Sequence, residues 1–143
     1  MSAILTLHGV SKAFGAVKVA DELSFTVPQG QALGVLGPNG AGKTSMFNLI
    51  TGALKPDAGQ VGFKGRDITG DSAALRSRSG IARSFQVPQP FAHMSVFENA
   101  MVAATQAAGL SGREAEQHCI DILYQTELLN QSNKPAGGLT LLS

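Results

Sequence analysis

Cysteine occurs once in this 143-residue chain, at Cys119. One thiol cannot build an internal disulfide framework, and it excludes a cysteine-rich zinc site. Cys119 reads instead as a small core residue on a helix, suited to a reducing cytosol. Charge is scarce as well. Charged residues make up 15% of the chain, and 11 Lys plus Arg against 10 Asp plus Glu leave a formal net charge of +1. So even a balance gives no basis for nonspecific nucleic-acid binding or for adhesion to anionic lipid. No apolar run approaches the roughly 18 residues of a membrane-spanning helix. The N-terminus lacks the charged and apolar regions of a secretory signal. Internal repeats and low-complexity tracts are missing too. What the chain does have is apolar residues, at 43%, which argue against disorder and suffice for one domain with a sizeable core.

Glycine is plentiful, with 17 residues, and its placement carries more information than its number. Residues 4–10 alternate as an opening strand, with Leu5 and Leu7 on one face and Ile4, Thr6 and His8 on the other. Leu23, Phe25 and Val27 alternate in the same way before Pro28-Gln29-Gly30 turns the chain. Residues 31–36 are nearly all apolar, which predicts a central strand buried on both faces. Met46, Phe47, Leu49 and Ile50 then give a helical face that Gly52 and Pro56 bring to an end. Short strands are expected at 60–63 and 66–68 around Gly65, a short helix capped by Ser72, and a strand at 81–85. Ser95-Val96-Phe97-Glu98 and Ser111-Gly112-Arg113-Glu114 both have the form of a capping box, each opening a helix. The stripe Phe97, Ala100, Met101, Ala104 belongs to the first, and Ala115, Cys119, Ile122, Leu123 to the second. The stretch 130–138 reads as a polar tail.

Between the predicted buried strand and the first helix stands Gly37-Pro38-Asn39-Gly40-Ala41-Gly42-Lys43-Thr44-Ser45, which matches G-x-x-x-x-G-K-[ST] in full. A triphosphate needs many donors close together, and bulky side chains would crowd it. Glycines let successive backbone N–H groups curl into an anion-binding nest, and the following helix adds its own unpaired N–H groups and positive pole. Lys43 supplies a mobile cation for the β- and γ-phosphates, and the Thr44 hydroxyl is placed for Mg²⁺. A chance match in a chain this long is on the order of 1 in 200. The glycine spacing fits neither a dinucleotide-binding loop nor a protein-kinase glycine loop.

This wording resembles the Walker A loop of ABC transporter ATPase subunits. Phe14, followed by Gly15 in the early hairpin, is similar to the family's A-loop aromatic, which stacks on adenine. Gln86, in Ser84-Phe85-Gln86, resembles the Q-loop glutamine, which senses Mg²⁺ and the attacking water and leads into a segment facing the membrane subunits. Lys55-Pro56-Asp57-Ala58-Gly59 resembles the turn that follows the Walker A helix. Gly80-Ile81-Ala82-Arg83-Ser84-Phe85-Gln86, then Phe91 and Met94-Ser95-Val96-Phe97-Glu98-Asn99, is similar to importers of branched-chain amino acids, with urea or short amides as a related substrate class. The resemblance implies an α/β fold of the P-loop NTPase type, with an N-terminal antiparallel β subdomain and the start of a helical subdomain. It places the core and Walker A over about 1–86, and the Q-loop and helical part over about 87–143. It implies ATP and Mg²⁺ as cofactors. The implied partners are permease subunits through the Q-loop region, a second ATP-binding subunit and, indirectly, a periplasmic solute-binding protein. The implied location is cytoplasmic, on the inner face of a bacterial plasma membrane. Nucleotide-binding residues carried over are Phe14, Gly37, Pro38, Asn39, Gly40, Ala41, Gly42, Lys43, Thr44, Ser45 and Gln86, with Thr44 and Gln86 toward the metal.

The chain also departs from the family pattern. No apolar strand running into Asp-Glu follows Gln86, so Walker B, the catalytic glutamate, the D-loop and the switch histidine have no counterpart, and no residue here is assigned as catalytic. Asp121 follows a helical, partly polar segment, and His118 reads as a surface residue. Leu139-Thr140-Leu141-Leu142-Ser143 sits where Leu-Ser-Gly-Gly-Gln usually begins, with leucines in place of the glycines. Two readings remain open. One is the N-terminal part of a transport ATPase. The other is a truncated fragment that binds nucleotide without hydrolysing it, or a nonproductive gene remnant. Without a Walker B strand beside residues 31–36, an apolar edge is expected to stay unpaired, leaving the isolated chain poorly soluble or partly ordered.

Overall fold

A computed structural model describes residues 2–139. They form two compact units, the first ending at Arg76 and the second beginning at Ser77. The residues 140–143 of the degenerate signature stretch lie outside the described range.

The first unit is built on β1 (Ala3–Phe14), β2 (Val17–Pro28), β3 (Ala58–Phe63) and β4 (Arg66–Asp67), in the order β2-β1-β3-β4 and antiparallel throughout. Leu7 stands across from Phe25 on one side and Val61 on the other, and Leu5 likewise from Val27 and Phe63. Cross-strand partners share a face, so the alternation read in the sequence places these six residues together. Helix α1 (Lys43–Thr51) contributes buried Met46, Leu49 and Ile50, and the sheet contributes Leu7, Val10, Val61 and Phe63. The short helix α2 (Ala73–Arg78) begins after Ser72, whose Oγ accepts from Leu75 N–H at 3.3 Å.

Residues 31–36 differ from the expected buried strand. They lie outside the sheet and are exposed, with Leu36 98% accessible. A strand can be buried only when its N–H and C=O groups are paired along a ladder, and no strand among the described residues pairs with this segment. Residues 81–85 are likewise not a strand. Hydropathy marks 31–36 as apolar, but it does not supply a partner.

The second unit contains α3 (Val96–Val102), continued by a π-helical turn over Ala103–Ala107, and α4 (Gly112–Gln125). Ser95 forms the full capping box: Glu98 N–H donates to its Oγ at 3.1 Å, and its own N–H donates to Glu98 Oε2 at 2.7 Å. Asn99 clamps the preceding turn, accepting from Phe91 N–H at 2.8 Å and donating to Phe91 O and Ser95 O. Ala104, Ala115 and Cys119 bury against one another, with Phe97, Ala100 and Met101 alongside. Burial pushes the Cys119 thiol pKa up, away from reactive thiolate. Ile122, assigned to the same stripe, is 42% exposed. The stretch 130–138 is more ordered than its polarity suggests. Val96 N–H donates to Lys134 O, Ala136 N–H to Met94 O and Phe97 N–H to Ser132 O, which zips the segment onto the start of α3.

Ser111 is the N-cap of α4 but makes no side-chain cap bond. The next residue, Gly112, has a φ of +53°, so the chain enters the helix through a left-handed residue and not by the path that a capping box needs. Ser95→Ala should therefore cost about 1 kcal/mol of stability, while Ser111→Ala should cost less than about 0.5 kcal/mol. Chemical denaturation of the two variants measures the contrast, and equal losses would contradict it.

Candidate phosphate-binding site

Residues 37–42 form a loop, exposed up to Ala41 and half-buried at Gly42, from which α1 departs. Gly42 is the N-cap, with φ +82°, and no side chain caps the helix or places an acid in its first turn. Met46 N–H is the first to bond back, to Gly42 O at 2.9 Å. By helix geometry the N–H groups of Lys43, Thr44 and Ser45 then have no intrahelical acceptor. A helix start with no capping side chain and no carboxylate presents its donors and positive pole to an anion.

Gly42 is held by more than handedness. A Cβ there would stand 2.5 Å from the Val19 carbonyl oxygen. Val19 is the extra residue of a β-bulge: Lys12 pairs with Ala20 and Ala13 with Lys18, leaving Val19 between them. Bulges release a residue from the ladder and re-aim it, and here the released carbonyl faces the loop. Gly37 is tight as well, since its Cβ would meet that of Ala41 at 3.2 Å. The Lys43 ammonium folds back over the loop, donating to Gly37 O and, at 2.6 Å, to Pro38 O. Thr44 is exposed and Ser45 half-buried in the first turn, and Ala41 N–H donates to Pro38 O at 3.2 Å.

The same bulge sits next to Phe14. Phe14 pairs with Val17 at the hairpin tip and is 56% exposed. Val17 is two residues from Val19, about 7 Å along the strand. Lys12 Nζ lies 5.5 Å from the ring centroid. That ammonium is bound to Asp57 Oδ1 at 2.6 Å, and the other carboxylate oxygen accepts from Ala13 N–H at 2.9 Å. Asp57 therefore fixes both residues before Phe14. Its role was not assigned from sequence, where it read only as part of a turn. Gln86 belongs to the second unit, at an exposed bend.

Thr44 offers one hydroxyl oxygen, and among the described residues no group of three or more His, Cys, Asp or Glu side chains gathers to hold a metal. That donor set fits Mg²⁺ held largely through phosphate oxygens and water, and not a metal needing a protein cage.

A glycine loop ending in a left-handed N-cap, a lysine over it and an uncapped helix behind it define the P-loop class of phosphate-binding proteins. The ABC transporter family profile matches residues 20–142, and the chain belongs to that family. It is 42% identical, over 69% of its length, to the probable branched-chain amino acid transport ATP-binding protein LivG of Methanocaldococcus jannaschii, of which it covers 38%. It is 31% identical, over 95% of its length, to the high-affinity branched-chain amino acid transport ATP-binding protein BraF of Pseudomonas aeruginosa, covering 59% of that protein. Among solved structures, the ADP conformation of MJ1267, an ATP-binding cassette of an ABC transporter, matches with a TM-score of 0.79 at 33% identity, over 99% of this chain and 60% of that one. The fold is thus that of an ABC ATPase domain, and the chain spans at most about 60% of these three proteins.

Two outcomes follow from the geometry. Gly40 has a φ of +85° but open space around it, so Gly40→Ala should cost only the handedness term, about 1–2 kcal/mol. Gly42→Ala adds the clash with Val19 O, about 1–3 kcal/mol more, and should show a clearly lower denaturation midpoint. Lys12 and then Ala13 hold the Asp57 pKa below the usual carboxylate value. A lowered folded pKa means a contribution present above the unfolded value and lost as pH falls through the folded one. Acid titration followed by circular dichroism should show Asp57→Asn lacking that part of the acid limb. An unchanged limb would mean that the two bonds do not select the charged form.

Proposed function

We propose that this chain is the N-terminal part of the ATP-binding subunit of an ABC importer, which couples ATP binding and hydrolysis to uptake of branched-chain amino acids or related small solutes. The observation that carries the reading is the uncapped, acid-free N-terminus of α1 facing a glycine loop with Lys43 over it. In this reading Phe14 stacks on adenine with one face of its ring, and the residues from Gly37 to Ser45 receive the phosphates. Lys43 exchanges its two carbonyl partners for phosphate oxygens. Thr44 and Gln86 are the ligands offered to Mg²⁺, which supplies charge neutralisation at the phosphates when bound. Hydrolysis also needs a group to activate water, and no residue of this chain is assigned that role, so no turnover is expected from it alone.

The solute class is supported by the names of LivG and BraF and by the Gly80–Gln86 and Met94–Asn99 wording. Membrane partners are expected to meet the segment around and after Gln86, where Phe85 just before it and Val87 and Phe91 beyond it are exposed. A second ATP-binding subunit completes the proposed assembly, on the cytoplasmic face of the membrane. Among the described residues no helix is long and apolar enough to cross a membrane.

MgATP titration tests the site. Lys43→Ala should weaken binding at least about 10-fold, the scale of a lost hydrogen bond to a charged group. Phe14→Ala should weaken it by about 10-fold through lost stacking. An unchanged affinity in Lys43→Ala would defeat the phosphate-site assignment.

A further inference from the structure

Arg76 takes no part in the reading above, yet it is the largest fully buried side chain, 1% exposed. Its guanidinium is spread over four main-chain carbonyls. Nη1 donates to Leu49 O at 2.7 Å and Ile50 O at 2.9 Å, Nη2 to Thr69 O at 3.0 Å, and Nε to Asp71 O at 3.2 Å. Burial opposes the charge, and Asp71 and Asp67 offset part of that cost.

The first two acceptors belong to the last turn of α1. The final carbonyls of any helix have no N–H of their own helix to bond. In α1, Asn48 O receives Leu54 N–H at 3.0 Å, while Leu49 O and Ile50 O receive Arg76. Both residues are buried, so water cannot readily replace the guanidinium. The chain leaves α1 through Gly52, at φ +81°, where a Cβ would stand 3.0 Å from Arg76 Nε and 3.1 Å from Ala73 N. The fork therefore ties the end of α1 to the segment between β4 and α2.

Helix α1 has nine residues, about 13 Å, too short to persist without tertiary support. The bulge at Val19 bounds its N-terminal end, and Arg76 grips the other. A cation at the C-terminal pole also neutralises the negative end of the helix dipole and leaves the positive end toward the loop.

We infer that Arg76 is a positioning residue for the phosphate loop: by fixing the C-terminal end of α1 it keeps the N–H groups of Lys43, Thr44 and Ser45 converging on one point, and it raises triphosphate affinity without touching the ligand. This rests on the phosphate-site reading. The test compares MgATP and adenosine titrations of the chain, of R76Q and of R76K, each below its own melting midpoint. In R76Q, MgATP binding should weaken about 10-fold, within the span of helix-dipole effects, while adenosine, which meets Phe14 and not the loop, binds as before. R76K keeps the charge but not the fork and should fall between; if R76Q does not fold, R76K carries the comparison. MgATP affinity unchanged in a variant with a lowered melt would overturn the inference, as would equal weakening of MgATP and adenosine. If the unsubstituted chain binds no MgATP, and no better than Lys43→Ala, the phosphate-site reading itself falls and takes the inference with it. Binding by the unsubstituted chain with no change in either Arg76 variant would sink the inference alone.

Discussion

The first unit turns on one close approach, that of the Gly42 backbone to the Val19 carbonyl. The oxygen is available because a bulge takes Val19 out of the β1–β2 ladder, and the approach is possible because residue 42 has no Cβ. The left-handed N-cap at Gly42, from which α1 leaves the loop, stands at that contact. The bulge is only a few residues from the hairpin tip, so it also links the loop to Phe14. Through one main-chain carbonyl the sheet thus bears on the shape of the loop.

Most of this arrangement was legible in the sequence because it is local. G-x-x-x-x-G-K-[ST] encodes its own turn, and the alternation of Leu5, Leu7, Leu23, Phe25 and Val27 encodes the hairpin that carries Phe14. The Ser95–Glu98 box could be read because both partners lie within one turn of helix. What escaped was contact between distant positions. Arg76 lies 27 residues from Leu49, and nothing in its surroundings marks it as an exception to the rule that arginines stay outside. Asp57 reaches back 44 residues to Ala13. Residues 31–36 show the opposite failure: hydropathy predicts burial, but burial needs a pairing strand, and none of the described residues supplies one. The second box failed on a single backbone angle, at Gly112.

The second unit has its own logic. Asn99 and Glu98 both act backward along the chain, one on Phe91 and the other on Ser95, so that the entry to α3 is fixed by residues inside the helix. The segment ending at Gly138 then bonds to the same entry through main-chain groups. Wording that resembles a transporter subfamily thus has a structural reason to stay together: changing Asn99 or Glu98 releases a turn and not just a surface.

The Lys43 ammonium, already bonded to two carbonyls of its own loop, has a kinetic consequence. In the proposed phosphate site an arriving anion would not meet a free charge. It would have to displace an internal pair of acceptors, so capture would include a bond-breaking step as well as diffusion. Rearrangement on binding slows association, so the loop would trade speed of capture for a resting shape held by the lysine's two bonds.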